Sequence, residues 1–297
     1  MNKFERFGSR RETKLHPADM LKGILENQSR TVNEMLAQEG LSGELLNPDA
    51  SINPEGYAEL YGAETIETDR AFVREREIEF TSANNPNVQD FYRSEFGAQT
   101  EDEIIARWRE NKSREKSGQM EMAITALLSQ KLGADFLVVR TAARDDYHAE
   151  SQVDNLILDR VTGDVVGAFD EVHEGGDGSR LKKKQEKIFK IAKRGGAEIR
   201  YGFKMENGKL ARAGLTGVPV FYLGLDSTAL GELIQGLGEN NQEKTDVVFT
   251  MLLASLEEQR AELAESIVPG KGANAAPSEF ARRLDSFGRS LARIYHR

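Results

Sequence analysis

The chain lacks cysteine altogether and has only four histidines among its 297 residues. The absence of cysteine excludes disulfides, thiolate metal sites and a cysteine nucleophile, and it fits a reducing compartment. The histidines are too scattered to suggest a zinc site; they are His16, His148, His173 and His296. A metal ion in this protein would therefore be held mainly by carboxylates, whose oxygen atoms favour Mg²⁺ or Mn²⁺.

Long apolar runs are absent too. No segment approaches the roughly 20 apolar residues of a membrane-spanning helix, and residues 1–11 lack the apolar segment of a secretory signal. With 39% hydrophobic residues, the chain can nevertheless bury one substantial core. We therefore expect a cytoplasmic, globular protein without a membrane partner.

Charges of opposite sign are concentrated in different parts of the chain, whose formal net charge is −9. Residues 39–103 contain sixteen Asp and Glu against four Arg, a net of −12. Residues 180–194 contain eight Lys and Arg against one Glu, a net of +7. A nucleic-acid partner is thus compatible with the negative overall charge, because a local basic surface is enough to attract phosphates.

Breaks in composition and in apolar periodicity divide the chain into six segments. The expected segments are a mobile or loosely packed N-terminal arm (1–50), an acidic helical segment or cap (51–116), an α/β core (117–226), C-terminal helices (227–268), a Pro/Gly/Ala-rich linker (269–278) and a basic C-terminal helix (279–297).

Within the core, apolar spacing predicts a helix, three strands, a basic helix and further strands. The first helix has apolar residues three and four positions apart from Met120 to Leu132. Asn207-Gly208 predicts a tight hairpin turn between later strands. The predicted strands are 136–142, 153–158, 165–172, an alternating strand from 197 to 204, and 218–225.

Carboxylates occur where an unpaired charge is costly. Glu121 lies at the edge of the apolar stripe, Asp154 interrupts the second strand, and Asp170 and Glu171 end the third. Singly, each has an ordinary explanation, since helix starts favour acids and charge reappears at strand edges and ends. Pairing of the second and third strands, however, would bring Asp154 near Asp170, and the helix could deliver Glu121 to the same corner. A bound cation would explain such a cluster.

The basic helix places Lys184 on its apolar face, between Leu181 and Ile188, with Lys187 beside that face. A lysine in this position either extends along the core to water or serves a site. The remaining cations of the helix form a solvated face or contact nucleic-acid phosphates; they are Arg180, Lys182, Lys183, Lys190 and Lys193.

Taken in order, these features resemble the PD-(D/E)XK nuclease superfamily over residues 117–203. The resemblance is carried by Glu121 on a helix, by Val153-Asp154-Asn155-Leu156-Ile157-Leu158, by Val165-Val166-Gly167-Ala168-Phe169-Asp170-Glu171-Val172 and by the lysine-rich helix. It implies an α/β (α+β) fold, with a restriction-endonuclease-like α-β-β-β-α-β core and additional N- and C-terminal helices.

The resemblance also implies roles for individual residues. Glu121, Asp154, Asp170 and Glu171 would hold Mg²⁺ or Mn²⁺, and a lysine would assist the reaction. The superfamily pattern places this lysine two residues after the strand acid, where this chain has Val172 or His173. Either the lysine has moved to the basic helix, as Lys184 or Lys187, or this chain is a catalytically altered form of the superfamily fold.

The function that the resemblance implies is metal-dependent hydrolysis of phosphodiester bonds in nucleic acid, with DNA as the expected substrate. The basic helix would supply attraction to phosphates that carries no sequence information. Two alternatives remain open. The protein could be a catalytically inactive binding module on the same fold, or an interaction protein whose acidic segment masks its basic helix.

Overall fold

The computed structural model describes residues 15–83, 86–148, 152–173, 179–266 and 278–296. Its fold is mixed α/β, of the α+β class, with many helices around a small mixed sheet. Within these ranges, none of the helices combines the length and the apolar character needed to cross a membrane. Residues 1–14 of the expected arm and 269–277 of the expected linker lie outside the described residues.

Helix α1 (Pro17–Gln38) is part of the main hydrophobic core. It buries Leu21, Leu25 and Leu36 completely and packs against the first core helix, Lys116–Leu132. The described part of residues 1–50 is therefore not the loosely packed arm that was expected. The apolar stripe of α1 finds its partner far along the chain, which local sequence patterns do not reveal.

The acidic segment is a set of helices fixed to the core through tyrosines. Its elements are a 3₁₀ turn (Pro54–Tyr57), α2 (Ala58–Tyr61), α3 (Ala63–Ile78), a π turn (Glu79–Ala83), α4 (Pro86–Phe96) and α5 (Glu101–Arg114). The Tyr57 hydroxyl donates to the Gly202 carbonyl at 2.8 Å, and the Tyr61 hydroxyl donates to the Arg200 carbonyl at 2.7 Å. Tyr57 is fully buried, so this attachment is part of the core.

The described central part of the chain forms three α-helices and six strands. In order they are α6 (Lys116–Leu132), β1 (Phe136–Arg140), the short α7 (Ala143–Tyr147), β2 (Asn155–Asp159), β3 (Val165–His173), α8 (Ser179–Lys193), β4 (Ala197–Glu206), β5 (Lys209–Val218) and β6 (Val220–Leu225). Asn207 and Gly208 turn the β4–β5 hairpin with φ of 53° and 74°, as its two-residue turn requires.

The main sheet has the order β1-β2-β3-β6, and β4 and β5 form a separate two-stranded sheet. β1, β2 and β3 pair antiparallel, whereas β6 pairs parallel to β3. A parallel pair needs a crossover connection, which α8 and the hairpin supply. At the β1 edge, the Arg140 N–H donates to the Ala50 carbonyl and the Ile52 N–H to the Arg140 carbonyl, both at 2.9 Å. Residues 50–52 therefore cover this edge of the sheet.

Three helices follow the sheet: α9 (Ser227–Gly238), α10 (Gln242–Ser266) and α11 (Glu279–Tyr295). The ring of Phe287 on α11 lies 4.1 Å from that of Phe221 on β6, between centroids. Arg293 of α11 forms an ion pair with Asp159, which is completely buried at the end of β2. Arg293 therefore helps to hold α11, the predicted basic helix, against the sheet.

Candidate active site

Asp154 lies at the centre of the candidate site, immediately before β2 rather than within it as the sequence suggested. Its backbone N–H donates to the Phe169 carbonyl, and its Oδ2 accepts from the Glu171 N–H, both at 2.8 Å. Burial raises the pKa of Asp154, but hydrogen bonds from Glu171 and the charges of Lys184 and Arg140 outweigh it and hold the pKa below its ordinary value. Asp154 is thus a carboxylate fixed against β3.

Glu171 lies beside Asp154 and is only 7% exposed. Its Oε1 accepts from Asn155 Nδ2 at 2.6 Å, and Asn155 Oδ1 in turn accepts from the Thr125 hydroxyl of α6 at 3.0 Å. Its Oε2 is buried and accepts no hydrogen bond in the described part of the chain, while the carboxyl as a whole is hydrogen-bonded to Asp154. Burial and the neighbouring Asp154 raise the Glu171 pKa well above its ordinary value. One oxygen of this carboxyl is therefore positioned by α6 and β2, and the other is left for a ligand or a proton.

Asp170 is 3% exposed and forms an ion pair with Lys184. Burial, followed by the charge of Asp154, raises the pKa of Asp170 to about 7, although Lys184 acts in the opposite direction. Lys184 therefore contacts the sheet from α8, and its ammonium lies next to the Asp170 carboxyl of β3.

Glu121 forms an ion pair with Arg140 of β1, at 2.9 Å, and Arg140 reaches Asp49 at 3.4 Å. The Glu121 pKa is raised by burial and then by Asp154, so the α6 carboxylate belongs to the same electrostatic group as the strand acids. The sequence suggested an unpaired charge at the edge of the apolar stripe. Arg140 neutralises that charge directly.

Asp146 of α7 joins this group, although sequence analysis did not select it. Its pKa is raised well above the ordinary value by burial and by Asp154 and Glu121. The preceding Asp145 is completely buried and accepts the backbone N–H groups of Arg200 and Tyr201, both at 3.1 Å, which fixes α7 against β4. Nothing in the local sequence distinguishes Asp146 from a solvated loop acid, because its neighbours come from other elements.

Lys187 donates a hydrogen bond to the side-chain oxygen of Gln152. Burial lowers the pKa of Lys187 to about 8, despite the opposing charge of Asp170. A substantial part of the Lys187 population is therefore uncharged just above neutral pH, which suits a group that exchanges protons with a bound molecule.

The cations of α8 divide into two faces. Arg180, Lys183, Lys184 and Lys187 line a cleft of about 380 Å³ together with Glu171. Three others predicted to bind nucleic acid do not line this cleft and are exposed to solvent; they are Lys182, Lys190 and Lys193. The helical spacing explains the division, because residues three or four positions apart share a face.

A ready-made metal site is not evident. In the described ranges, no group of three or more His, Asp or Glu side chains is placed to hold one metal ion. Arg140 and Lys184 instead balance the charges of Glu121 and Asp170. Asp154 and Glu171 are the side chains best placed to bind a divalent cation. Their carboxyls are adjacent, and Glu171 Oε2 accepts no hydrogen bond among the described residues.

Comparison of the chain with family models, with curated proteins and with solved structures gives no match. The function is therefore inferred from the residues and their geometry alone.

Proposed function

We propose that the protein is a metal-dependent nuclease of the PD-(D/E)XK type, which hydrolyses phosphodiester bonds of nucleic acid, with DNA as the expected substrate. One observation carries this proposal. Lys184 reaches from α8 to Asp170 in a buried group of carboxylates, where Glu171 keeps an oxygen that accepts no hydrogen bond in the described part of the chain. An ammonium beside converging carboxylates is the combination that metal-assisted hydrolysis needs.

The arrangement of the core supports the proposal. Helix α6 precedes three antiparallel strands, and α8 leads to β6, which pairs parallel to β3. This order is compatible with the α-β-β-β-α-β core that the resemblance implies, if the short α7 between β1 and β2 and the β4–β5 hairpin between α8 and β6 are counted as additions. The acids then come from α6, from the residue before β2 and from β3.

The position of Lys184 supports the interpretation that the catalytic lysine has moved to α8. Val172 and His173 occupy the positions where the strand motif would carry it. The Lys184 ammonium nevertheless contacts Asp170. It would therefore orient a nucleophile or offset charge at the phosphate from the helix side of the site.

Asp154 and Glu171, with Asp170 beside them, would hold Mg²⁺ or Mn²⁺. When bound, such an ion supplies Lewis acidity at a phosphate oxygen and a lowered pKa for an attacking water. Arg180 and Lys183 bind neighbouring phosphates in the cleft. Lys187, with its pKa of about 8, exchanges a proton at the edge of the site.

The test is cleavage of labelled single-stranded and duplex DNA and RNA in Mg²⁺, in Mn²⁺ and in EDTA. We expect cleavage only with metal, and its loss in Asp154→Asn and Glu171→Gln. Glu186→Gln changes an exposed acid of α8 and serves as the matched control. Cleavage by both site variants at the wild-type rate would contradict the proposal.

A second candidate is a catalytically inactive binding module on the same fold. It is favoured by the ion pairs that already neutralise Glu121 and Asp170. Binding of nucleic acid without cleavage in either metal, at any pH between about 6 and 9, would support this candidate.

A further inference from the structure

A cavity of about 500 Å³ lies on the Glu121 side of the candidate site. Its walls come from α1, from residues 47–51, from α5, from the first half of α6 and from the end of β1 with α7. The volume falls within the roughly 300–1,000 Å³ of small-ligand pockets. It suits one nucleotide and not a base-paired duplex.

Two aromatic rings form part of the wall. Trp108 of α5 and Tyr147 of α7 both line the cavity, and Phe80 packs against both, with centroid distances of 5.7 and 5.6 Å. The ammonium of Lys112 lies 5.8 Å from the Trp108 centroid and 5.6 Å from the Tyr147 centroid. Proteins bind unpaired nucleotides by stacking bases on aromatic rings and pairing phosphates with nearby cations.

Cations and carboxylates both line the cavity, and some of its hydrogen-bond donors are free within the described ranges. The carboxylates are Asp49, Glu77, Glu110, Glu121 and Asp146. Among the described residues, Lys22 and Lys112 form no direct ion pair, whereas Arg109 is held by Glu77 at 2.5 Å. The Nε of Arg140 is buried and has no hydrogen-bond partner in the described part of the chain. An anionic ligand with polar groups would satisfy these donors.

The cavity is continuous with the acidic group. Glu121 and Asp146 line it, and both interact electrostatically with Asp154. The charge of Lys112 in turn lowers the pKa of Glu121 and of Asp146, which places its ammonium near both. A strand with one phosphate at Asp154 would therefore place its next nucleotide beyond Glu121, in the cavity.

We infer that this cavity receives an unpaired nucleotide of the substrate strand, adjacent to the phosphate that is cut, with its base on Trp108 and Tyr147 and its phosphate at Lys112. The inference rests on the proposed nuclease function and narrows the substrate class. The substrate is a single strand, or a duplex with an unpaired end, and not a continuous duplex.

Trp108 is the single tryptophan of the chain, so its fluorescence reports on the cavity directly. The experiment titrates the protein, in EDTA, with a short thymidine oligonucleotide, with a closed hairpin duplex and with thymidine monophosphate. We expect saturable quenching by the oligonucleotide, and weaker binding of the other two ligands. Equal affinity for the duplex, or for the monophosphate, would overturn the inference, as would binding of the oligonucleotide without any change in Trp108 emission.

Variants test the stacking residues separately. Tyr147→Leu should weaken binding of the oligonucleotide by about 5- to 150-fold, the range expected for one stacked base. The affinity of Trp108→Leu for the oligonucleotide, measured by the fluorescence anisotropy of a labelled oligonucleotide, should fall by a similar factor. The affinity of Trp108→Phe should fall by less. Phe91→Leu is the matched control, because Phe91 is an exposed aromatic residue of α4 that does not line the cavity. Wild-type affinity in both leucine variants would overturn the inference.

The binding experiment and the nuclease assay can fail separately. Quenching without cleavage in any metal would support the nucleotide cavity and remove the proposed function. Metal-dependent cleavage of continuous duplex without quenching of Trp108 fluorescence would support the proposed nuclease function and would show that the cavity does not bind the substrate.

Discussion

Asp170→Asn should reduce the pH dependence of stability in EDTA. Asp170 is 3% exposed, and burial together with Asp154 raises its pKa to about 7, whereas an Asp in the unfolded chain has a pKa of about 3.9. A difference of about three units corresponds to about 4 kcal/mol. This value already includes the favourable charge of Lys184, which lowers the Asp170 pKa.

The raised pKa determines the sign of the effect. Between about pH 4 and pH 7 the folded protein keeps a proton on Asp170 that the unfolded chain has lost, so the free energy of unfolding decreases as the pH rises. The contribution is complete below about pH 4 and is lost as the pH passes through about 7. The asparagine that replaces Asp170 in the variant does not titrate. Asp154, Asp170 and Glu171 titrate together. We therefore expect the free energy of unfolding of the variant to decrease by about 2–4 kcal/mol less than that of the wild type over this pH range.

Urea unfolding in EDTA at several values from about pH 5 to about pH 8.5, followed by circular dichroism, measures this difference. Asp226→Asn is the matched control, since Asp226 is exposed and caps α9, and asparagine caps a helix equally well. Parallel pH profiles for the wild type and Asp170→Asn would refute the argument, because Asp170 would then ionise in the folded protein as it does in the unfolded chain.

Two further predictions concern α8. Lys184→Met should lower the cleavage rate by at least about 100-fold. Its Mn²⁺ affinity at about pH 8.5 should be nearly unchanged, because an ammonium does not ligate metal. Cleavage at the wild-type rate by both Lys184→Met and Lys187→Met would exclude a catalytic lysine on this helix. The paired change Arg180→Gln with Lys183→Gln should flatten the log–log salt dependence of DNA binding by about two units, whereas Lys182→Gln with Lys190→Gln should change it less. An equal effect of both pairs would mean that phosphates contact α8 on both faces.

The local elements of the core could be predicted because their patterns are local. The apolar stripe of α6 and the Asn207-Gly208 turn each depend on residues within one element, and both agree with the structure. The place of Asp154 outside β2 could not be predicted, because it depends on hydrogen bonds with Phe169 and Glu171 across the sheet.

The sequence indicated that the carboxylates come together but not which cations pair with them. Glu121, Asp170 and Glu171 each interact electrostatically with Asp154, yet the partners of Glu121 and Asp170 are Arg140 and Lys184. Arg140 had no feature in the sequence that marked it. Asp146 was missed for the same reason, since its burial results from the packing of α7 and not from any periodic pattern.

The pairing of residues 50–52 with Arg140 has a consequence for the order of events during synthesis. About 90 residues separate the two partners along the chain, and translation at roughly 5–20 residues per second takes about 5–20 s to cover that distance. The apolar stripe of α1 waits equally long for α6, with Leu21, Leu25 and Leu36 exposed in the meantime. Helix α1 thus leaves the ribosome well before its partner α6, and this part of the nascent chain is most exposed to aggregation and chaperone binding until α6 has been made.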